Sequence, residues 1–521
     1  MSFTTDDTKL FQSDAQHDKQ KIRQAKAEAL KDVGDPIQLA TKPLRVVVRN
    51  EEAASAGHEP EAWVAESGFI VRRVGLDSGK TKQIYKGHAG PVTSLGFYTT
   101  KTSKRALLIS GSWDKSFRVW DIETKALVSS TVGHVDFVKA LCVVPELDIL
   151  VTGSSDKDVR VWDLSVLDSF DFASLSPPHA STSTAEPKRA PARDPTAKPA
   201  GPPPAAVSQN PLPVLLRLKS HTRPIEQLAY FHVLSSDASS DVSNGSTGPT
   251  STRNEDDTPR TRTGQIGLVS ADSMGVVKLW QLEKRDDVTW SGVEKSSSRL
   301  HELAVYDLAL GSEGEMWTAS ADNSVLLSSL SFSSPSTPPT PLVRIPHPSQ
   351  TRAVLSLPLA LPNLAQPGSY LLTTCSDELI RIFNLDDEAL EPDAKRELAR
   401  DWRGIEVHPG RQGGMLDGCV QEVEGHVHEI VQLVPYLVKP TTTKPDESGR
   451  AQGSTELWIL SASLDGTLRR WRWQDLLRTK RDRLVVVAVD EDEQGQGKVA
   501  EGLLTEEEER ELAELMGDDD E

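Results

Sequence analysis

Cysteine and long apolar runs are scarce in this chain of 521 residues. Cys142, Cys375 and Cys419 lie far apart, so they form neither a disulfide framework nor a zinc-binding spacing, and the first two are expected to be small buried residues. No stretch approaches the roughly 18 apolar residues of a membrane helix, and residues 1–7 lack the charged and apolar regions of a signal peptide. We therefore expect an intracellular protein, cytoplasmic, nuclear or both, with no membrane partner.

Positive charge is also in short supply. The chain has 58 Lys and Arg against 77 Asp and Glu, and residues 490–521 alone hold 15 acidic and 2 basic side chains. Because binding to a phosphate backbone needs clustered Lys and Arg, a nucleic-acid partner is not expected. One basic cluster occurs near the C-terminal end, and its first two members are expected to be solvated strand positions: Arg469, Arg470, Arg472, Arg478, Lys480, Arg481 and Arg483.

Motifs of catalysis are missing as well. The sequence contains no Gly-x-Ser-x-Gly elbow, no phosphate-binding loop, no His-Glu-x-x-His and no paired cysteines. These absences predict a protein that is not an enzyme, with no catalytic residues, no cofactor and no metal ligands.

What the chain does contain is a repeated unit. Residues 110–121 and 153–163 each place an Asp in a tight turn and a Trp six residues later, and they follow Gly87-His88 and Gly133-His134. This unit resembles the WD40 repeat, which forms one blade of a β-propeller. The resemblance implies an all-β fold and a function in binding rather than in catalysis.

In that family a His, a Ser or Thr, the turn Asp and the Trp form a buried hydrogen-bond relay. The relay gives each buried polar group a partner, so its expected role is structural. The residues that match it form three sets: His88, Ser110, Asp114 and Trp120; His134, Thr152, Asp156 and Trp162; His426, Ser461, Asp465 and Trp471.

Weaker copies follow the same spacing. Asp377 precedes Phe383 by six residues, and Asp322 is present although Ser328 stands at the Trp position. The sequence therefore contains two more blades that have lost part of the relay.

Two further copies are more degenerate. The repeat that ends in Trp280 places Met274 at the Asp position and Asp272 two residues early, so His221 is expected to lack a full relay. In the most N-terminal copy, Ser67 and Arg73 occupy the Asp and Trp positions. The total favours seven blades over six or eight.

The predicted organisation is a seven-bladed propeller with disordered insertions and short helical tails. The propeller spans residues 44–490, between a polar tail at 1–43 and an acidic tail at 491–521. The insertions are polar or rich in Pro, Ser and Gly and cannot bury enough apolar surface to order themselves: 165–212, 234–264, 386–420 and 434–455.

A propeller closes when a strand from one terminus completes the last blade. Residues 44–49 and 484–489 are β-branched candidates for that strand, and each reads equally well as an ordinary strand of its own blade. A polar helix is predicted from about Ser13 to Val33, with Ile22, Ala29 and Leu30 as its weak apolar face. A second helix is predicted near residues 505–517 from a capping box.

The insertions all fall in loops that leave one face of the propeller, so the other face is smooth. Trp113 and Phe137 lie beside the relay loops on this smooth face, with Lys139, Arg223 and Glu226 at nearby strand starts. Aromatic residues and Arg are common interface anchors, although each of these residues also suits packing between blades. The main hypothesis is a scaffold that assembles a multiprotein complex by binding peptide segments of other proteins.

Two alternatives stay open. A substrate receptor of a cullin-type ubiquitin ligase would carry Trp-Asp-x-Arg, whereas residues 120–123 and 162–165 lack the Arg. A scaffold in chromatin or ribosome assembly is not distinguished by any feature of the chain. The oligomeric state is not predicted.

Overall fold

Strands dominate the computed structural model of the chain. It describes residues 14–49, 59–172, 208–234, 262–285, 289–311, 314–331, 336–361, 368–385, 419–438 and 456–477. These residues form seven antiparallel sheets of four strands each. The predicted all-β fold of seven blades is confirmed.

The first four blades take their strands consecutively. Blade 1 consists of β2 (Pro43–Arg49), β3 (Glu61–Glu66), β4 (Ile70–Gly75) and β5 (Thr81–Lys86). Blade 2 consists of β6 (Val92–Thr99), β7 (Ala106–Ser112), β8 (Ser116–Asp121) and β9 (Leu127–Val132). Blade 3 consists of β10 (Val138–Val144), β11 (Ile149–Ser154), β12 (Asp158–Asp163) and β13 (Val214–Lys219). Blade 4 consists of β14 (Ile225–Leu234), β15 (Arg262–Asp272), β16 (Val276–Lys284) and β17 (Trp290–Arg299).

The last three blades complete the set. Blade 5 consists of β18 (Val305–Leu310), β19 (Glu315–Ser320), β20 (Ser324–Ser329) and β21 (Thr340–Pro346). Blade 6 consists of β22 (Thr351–Ser356), β23 (Tyr370–Cys375), β24 (Leu379–Asn384) and β25 (Cys419–Glu424). Blade 7 consists of β26 (Ile430–Val438), β27 (Glu456–Ser463), β28 (Thr467–Arg472) and β1 (Pro36–Gln38).

Helices are few and short in the described part of the chain. They are α1 (Asp14–Ala29), α2 (Leu357–Ala360), α3 (Trp473–Leu476) and a 3₁₀ turn at Ser165–Ser169. The predicted helix at 505–517 lies outside the described residues.

The first strands of the blades form a closed inner ring. Each lies beside the first strand of the next blade, and β26 of blade 7 lies beside β2 of blade 1. β1, from the N-terminal part of the chain, pairs with β28 as the fourth strand of blade 7 and so joins the two ends of the ring of blades. The prediction that residues 44–49 close it is wrong, because they form β2 of blade 1, as the alternative had it. The other candidate, 484–489, lies outside the described residues.

The apolar core lies between neighbouring blades. One cluster joins Phe117 of blade 2 to Leu150 and Trp162 of blade 3, and another joins Ile37 of β1 to Val46 of blade 1. All three cysteines are free thiols; Cys375 and Cys419 are buried and Cys142 is half-buried. Each blade therefore depends on both neighbours for its burial.

A tight turn joins the second and third strands of every blade. One residue in each turn has a left-handed backbone conformation, with φ between 64° and 85°: Phe69, Lys115, Lys157, Gly275, Asn323, Glu378 and Gly466. In most blades the residue that precedes the left-handed one is the turn Asp of the repeat. In blade 1 that residue is Gly68, and Val74 lies at the Trp position, so the predicted assignment of Ser67 and Arg73 is wrong by one residue.

The connections separate into two faces, which we call top and bottom. The top face carries these tight turns and the loops that lead into the first strands. The bottom face carries the other ends of the strands, among them the described strand ends that flank the four predicted insertions. Strands reach further into the insertions than predicted, because β15 begins at Arg262, β25 at Cys419, and β26 ends at Val438. Residues 208–210 also pair with the outer edge of β9, where Gln209 bonds to Ser130.

The segment between α1 and β1 is attached to blade 7 by two arginines. Arg469 is buried and donates to the carbonyls of Leu30 and Val33, whereas Arg470 pairs with Asp35. The prediction that both arginines are solvated is therefore wrong, because carbonyls from distant sequence cover them. In the predicted apolar face of α1, Ala29 is exposed and Leu30 is half-buried.

Removal of residues 1–39 is expected to open the propeller. The truncation deletes β1, strips Ile37 from the core and leaves the edge of β28 unpaired. Burial of one such side chain is worth about 1.5–3 kcal/mol and each hydrogen bond about 0.5–1.5 kcal/mol. Thermal unfolding of the truncated chain should occur several degrees lower, with aggregation visible by size exclusion.

Removal of residues 1–26 is the matched control. It deletes most of α1, including the ion pairs of Lys26 with Glu378 and Glu424, but it retains β1. Such surface pairs contribute about 0–1 kcal/mol. Equal unfolding temperatures for the two truncations would contradict the assignment of β1 as the closing strand.

Candidate interaction face

The top face of blade 2 is anchored by a chain of buried hydrogen bonds. Nδ1 of His88 lies 2.8 Å from Oδ2 of Asp114, and its Nε2 lies 2.8 Å from Oγ of Ser110. Trp120 donates from Nε1 to the same Ser110 oxygen at 2.9 Å. The four residues of the predicted set are therefore in contact with one another.

Blades 3 and 7 repeat this arrangement, with the corresponding distances between 2.7 and 2.9 Å. The residues brought together are His134, Thr152, Asp156 and Trp162 in blade 3 and His426, Ser461, Asp465 and Trp471 in blade 7. The glycine before each His is required by close packing, because a Cβ at Gly133 or Gly425 would collide with the indole of Trp162 or Trp471.

Electrostatics favours a neutral His beside an ionised Asp. Burial lowers the pKa of His88, and the bond to Asp114 only partly offsets it. Burial alone would raise the pKa of Asp114, but bonds from His88, Ser116 and the Ala89 amide hold it well below the usual value. The neutral imidazole then carries its proton on Nδ1. This N–H group donates to Asp114, while the Ser110 hydroxyl donates to Nε2. Each polar side-chain group of the four relay residues therefore has a partner within the relay.

Blade 4 has a complete relay, contrary to the prediction. His221 contacts Asp272 at 3.1 Å and Ser270 at 2.7 Å, and Trp280 donates to Ser270 at 2.8 Å. Asp272 lies two residues before the turn position occupied by Met274, yet its carboxylate reaches the imidazole. The sequence spacing did not predict this relay, because it assumed that the carboxylate lies six residues before the Trp.

Blades 5 and 6 each have a relay His, His301 and His347, that the Gly-His pattern does not reveal. His301 contacts Asp322 at 2.9 Å and Thr318 at 2.8 Å, without a Trp. In blade 6 His347 contacts Thr373 at 2.8 Å, but no Asp, because Arg381 holds Asp377 at 2.6 Å. Leu300 and Pro346 precede these histidines, so the Gly-His signal is absent.

Blade 1 replaces the relay with an ion pair. Glu66 is buried; it pairs with Arg72 and accepts a hydrogen bond from Thr41. Glu66 lies two residues before Gly68, the same offset that Asp272 has in blade 4. The blade therefore keeps a buried carboxylate although it has no His.

A hydrogen bond that recurs in all seven blades defines equivalent positions on the top face. An amide just before the turn residue donates to a carbonyl of the loop into the first strand, at 2.9–3.0 Å. The seven donors are Ser67, Trp113, Ser155, Ser273, Ala321, Ser376 and Leu464. The seven acceptors are Lys42, Pro91, Phe137, Pro224, Ala304, Gln350 and Glu429.

Trp113 and Phe137 are the only aromatic residues at these fourteen positions. Ser occupies the Trp113 position in four blades, so the fold does not need an indole there. The two rings belong to neighbouring blades and stack with 5.1 Å between centroids and 18° between planes. Trp113 is 40% exposed and Phe137 38% exposed, and the adjacent Val135 is 71% exposed. An apolar patch therefore bridges blades 2 and 3.

The other predicted interaction residues lie in blades 3 and 4 and in the loop between them. A β-bulge occurs near the top of every first strand, and Lys139 and Glu226 are the bulged residues of blades 3 and 4. Their side chains pair with each other at 2.5 Å. Arg223 is exposed in the loop that leads into blade 4. Bulges commonly redirect side chains near functional sites.

Two segments, residues 79–121 and 125–163, match the family profile described as WD domain, G-beta repeat. The chain contains WD40 repeats. It is 32% identical over 114 residues to an uncharacterized WD repeat-containing protein, C126.01c, of Schizosaccharomyces pombe, a match that covers 22% of this chain and 31% of that protein. It is also 32% identical over 82 residues to the periodic tryptophan protein 2 homolog of the same yeast, covering 16% and 9% of the two chains. The matches thus span less than a third of either relative.

Two negative findings apply to the described part of the chain. The described residues contain no group of three or more His, Cys, Asp or Glu placed to hold a metal ion. Within the same residues no helix has the length and hydropathy that crossing a membrane requires.

Loss of a relay carboxylate is expected to destabilise the propeller. Asp114→Ala, Asp156→Ala or Asp272→Ala removes a partner of a buried imidazole, which costs on the order of 1–3 kcal/mol. Chemical denaturation of each variant should show this loss. Met274→Ala is the control for blade 4, because Met274 occupies the turn position but makes no relay contact. Destabilisation by Met274→Ala but not by Asp272→Ala would contradict the observed geometry.

The free energy of unfolding is expected to decrease at acidic pH, in part because of His347. Burial, together with the charge of the nearby Arg381, lowers the pKa of His347 to about 4, whereas a His in the unfolded chain has a pKa near 6.5. Between these values the unfolded chain binds a proton that the folded chain does not. The free energy of unfolding should therefore decrease as pH falls from about 6.5 to 4, by up to about 1.4 kcal/mol per pH unit from this residue.

His347→Gln should reduce that slope while keeping a polar partner for Thr373. Urea unfolding at several pH values measures the effect. The slopes of the two proteins should coincide above about pH 7.5, where neither state takes up this proton. Identical slopes from pH 4 to 6.5 would show that His347 does not contribute.

Proposed function

We propose that this WD40 protein is a non-enzymatic scaffold that binds peptide segments of other proteins on the top face of blades 2 and 3. The stacked, exposed pair Trp113 and Phe137 carries this proposal. Large aromatic side chains in the open are unfavourable for a folded chain, and the equivalent positions of the other blades show that folding does not require them. Aromatic anchors of this kind dominate binding energy at interfaces.

The surroundings support the same face. Six buried His residues of the described blades and five of their Asp partners are engaged in relays, which favours contact over catalysis as the role of the face. The top face is built from short, described turns and loops that the recurring amide-to-carbonyl bond holds in place. Assembly of a multiprotein complex in the cytoplasm or nucleus is the role that we assign to such a scaffold.

The ubiquitin-ligase alternative gains no support from the bottom face. Glu123 stands where that docking signature has Arg, and it pairs with Arg105 at 2.7 Å. An acidic side chain therefore occupies the position that would have to be basic.

Affinity purification of the full chain tests the proposal. The double substitution Trp113→Ser and Phe137→Ala introduces residues that other blades carry at the same positions, so the fold should be retained. We expect at least one protein that copurifies with the wild type to be lost, with a loss of tenfold or more in quantitative mass spectrometry.

Val166→Ser is the matched control, because Val166 is 38% exposed on the bottom face. It should leave the copurifying proteins unchanged. Circular dichroism and thermal unfolding should be the same for all three proteins. Retention of every partner by the folded double variant would refute the proposed site.

A further inference from the structure

The charges on the top face are divided between its two sides. Basic residues exposed in blades 1 to 4 are Lys42, Lys86, Lys115, Lys157, Lys219 and Arg223, which we call the basic arc. Acidic residues at comparable places in blades 5 to 7 are Glu302 and Glu424, which are exposed, and Glu378 and Glu429, which are half-buried. The aromatic pair lies on the basic side.

The two sides also differ in whether their charges are already paired. Lys26 of α1 pairs with Glu378 and Glu424, Arg381 pairs with Asp377, and Arg352 pairs with Glu429 at 2.8 Å. Glu302 is the exception. Among the described residues, the side chains of the basic arc form no ion pair. The acidic side is thus largely neutralised from within the chain, whereas the basic arc is available to a partner.

Chain geometry places two of these lysines beside the aromatic pair. Lys115 follows Trp113 by two residues in the same tight turn, and its carbonyl accepts from the His134 amide of blade 3 at 3.4 Å. Lys157 follows Ser155 by two residues, and the Ser155 amide bonds to the Phe137 carbonyl at 2.9 Å. One half-buried carboxylate, Asp136, lies between Val135 and Phe137 and accepts from the Phe137 amide. The two lysines therefore belong to the tight turns that carry Trp113 and that bond to the backbone of Phe137.

We propose that the segment bound on this face is an acidic peptide that carries at least one aromatic or large aliphatic side chain. This inference rests on the proposed function. The apolar side chain covers the Trp113 and Phe137 rings, and neighbouring carboxylates pair with Lys115 and Lys157. Exposed ion pairs are individually weak, so the basic arc acts mainly through attraction over several ångströms and through selection against basic segments.

The way in which peptide affinity changes with salt shows whether the basic arc or the net charge of the whole chain dominates binding. The whole chain has a formal net charge of −19, so it repels an acidic peptide unless local basic residues dominate. Repulsion would be relieved by salt, and binding would then strengthen. If the basic arc attracts the peptide, binding weakens as salt rises from about 0.05 to 0.5 M.

A phage-displayed library of random twelve-residue peptides, selected on the full-length protein, provides the probe. We expect the enriched peptides to combine several Asp or Glu with an aromatic or large aliphatic residue. A selected peptide is then synthesised with a fluorescent label and measured by anisotropy, beside a version with every Asp and Glu replaced by the amide. The amide version should bind at least tenfold more weakly. No enrichment, or enrichment of basic peptides, overturns the inference.

Charge reversals with a matched control locate the binding. Lys115→Glu with Lys157→Glu uses the residue that blade 6 carries as Glu378 at the same left-handed turn position, where φ is 73°. The acidic peptide should bind this variant at least tenfold more weakly. Lys104→Glu with Lys125→Glu reverses two exposed lysines on the bottom face that form no ion pair among the described residues and that also have a left-handed backbone, with φ of 53° and 62°. It changes the net charge equally and should alter affinity less than twofold.

The outcomes separate this inference from the proposed function. If the double Trp113→Ser and Phe137→Ala variant loses partners but the charge reversals and the amide peptide bind unchanged, the aromatic site stands and its preference for acidic segments is refuted. If the charge reversals abolish binding while the aromatic substitutions have no effect, the combined site is refuted. Loss of binding in both double variants, with binding retained by the bottom-face control, is the expected result.

Discussion

Closure of the ring is the constraint on which the rest of the structure depends. Each apolar cluster lies between two blades, so an opening at any point would expose two faces to water. The chain closes the ring with β1, which has only three residues. Arg469 and Arg470 extend this short joint by binding carbonyls and a carboxylate between Leu30 and Asp35, which secures the N-terminal segment against blade 7. Two buried or half-buried guanidinium groups thus contribute what a longer strand supplies in other blades.

The relays show what folding requires of each blade and what it leaves free. In blade 2 the Ser112 hydroxyl accepts from the Asp114 amide while Asp114 accepts from the Ser116 amide. In blade 4 Asp272 alone accepts from both equivalent amides and still contacts His221. The requirement is a buried acceptor beside the imidazole and the turn amides, and either position satisfies it. Blade 1 has the buried Glu66 at the same offset from its turn, paired with Arg72 instead of an imidazole.

Sequence spacing was sufficient where all four relay residues recur, because a Gly-His pair and an Asp six residues before Trp are rare together. It failed where a different position supplies the same bond, as with Asp272, and in blade 1, where Ser67 and Arg73 lie one residue from the positions that Gly68 and Val74 occupy. The closing strand could not be recognised, because Pro36–Gln38 is too short to show a periodic pattern. The burial of Arg469 depends on carbonyls more than 400 residues away in sequence, and the stacking of Trp113 on Phe137 depends on how two blades meet.

Seven copies of one blade within one chain act as an internal comparison between folding and function. The recurring amide-to-carbonyl bond between turn and loop uses only backbone atoms, so the side chains at those positions are not constrained by it. Most copies carry small or polar residues there, and two neighbouring copies carry Trp113 and Phe137. The same neighbouring blades carry Lys115 and Lys157 without ion pairs among the described residues, whereas most of the acidic residues across the face are paired. The other blades fold without either deviation, and both fall on the one boundary between blades where we propose that a partner binds.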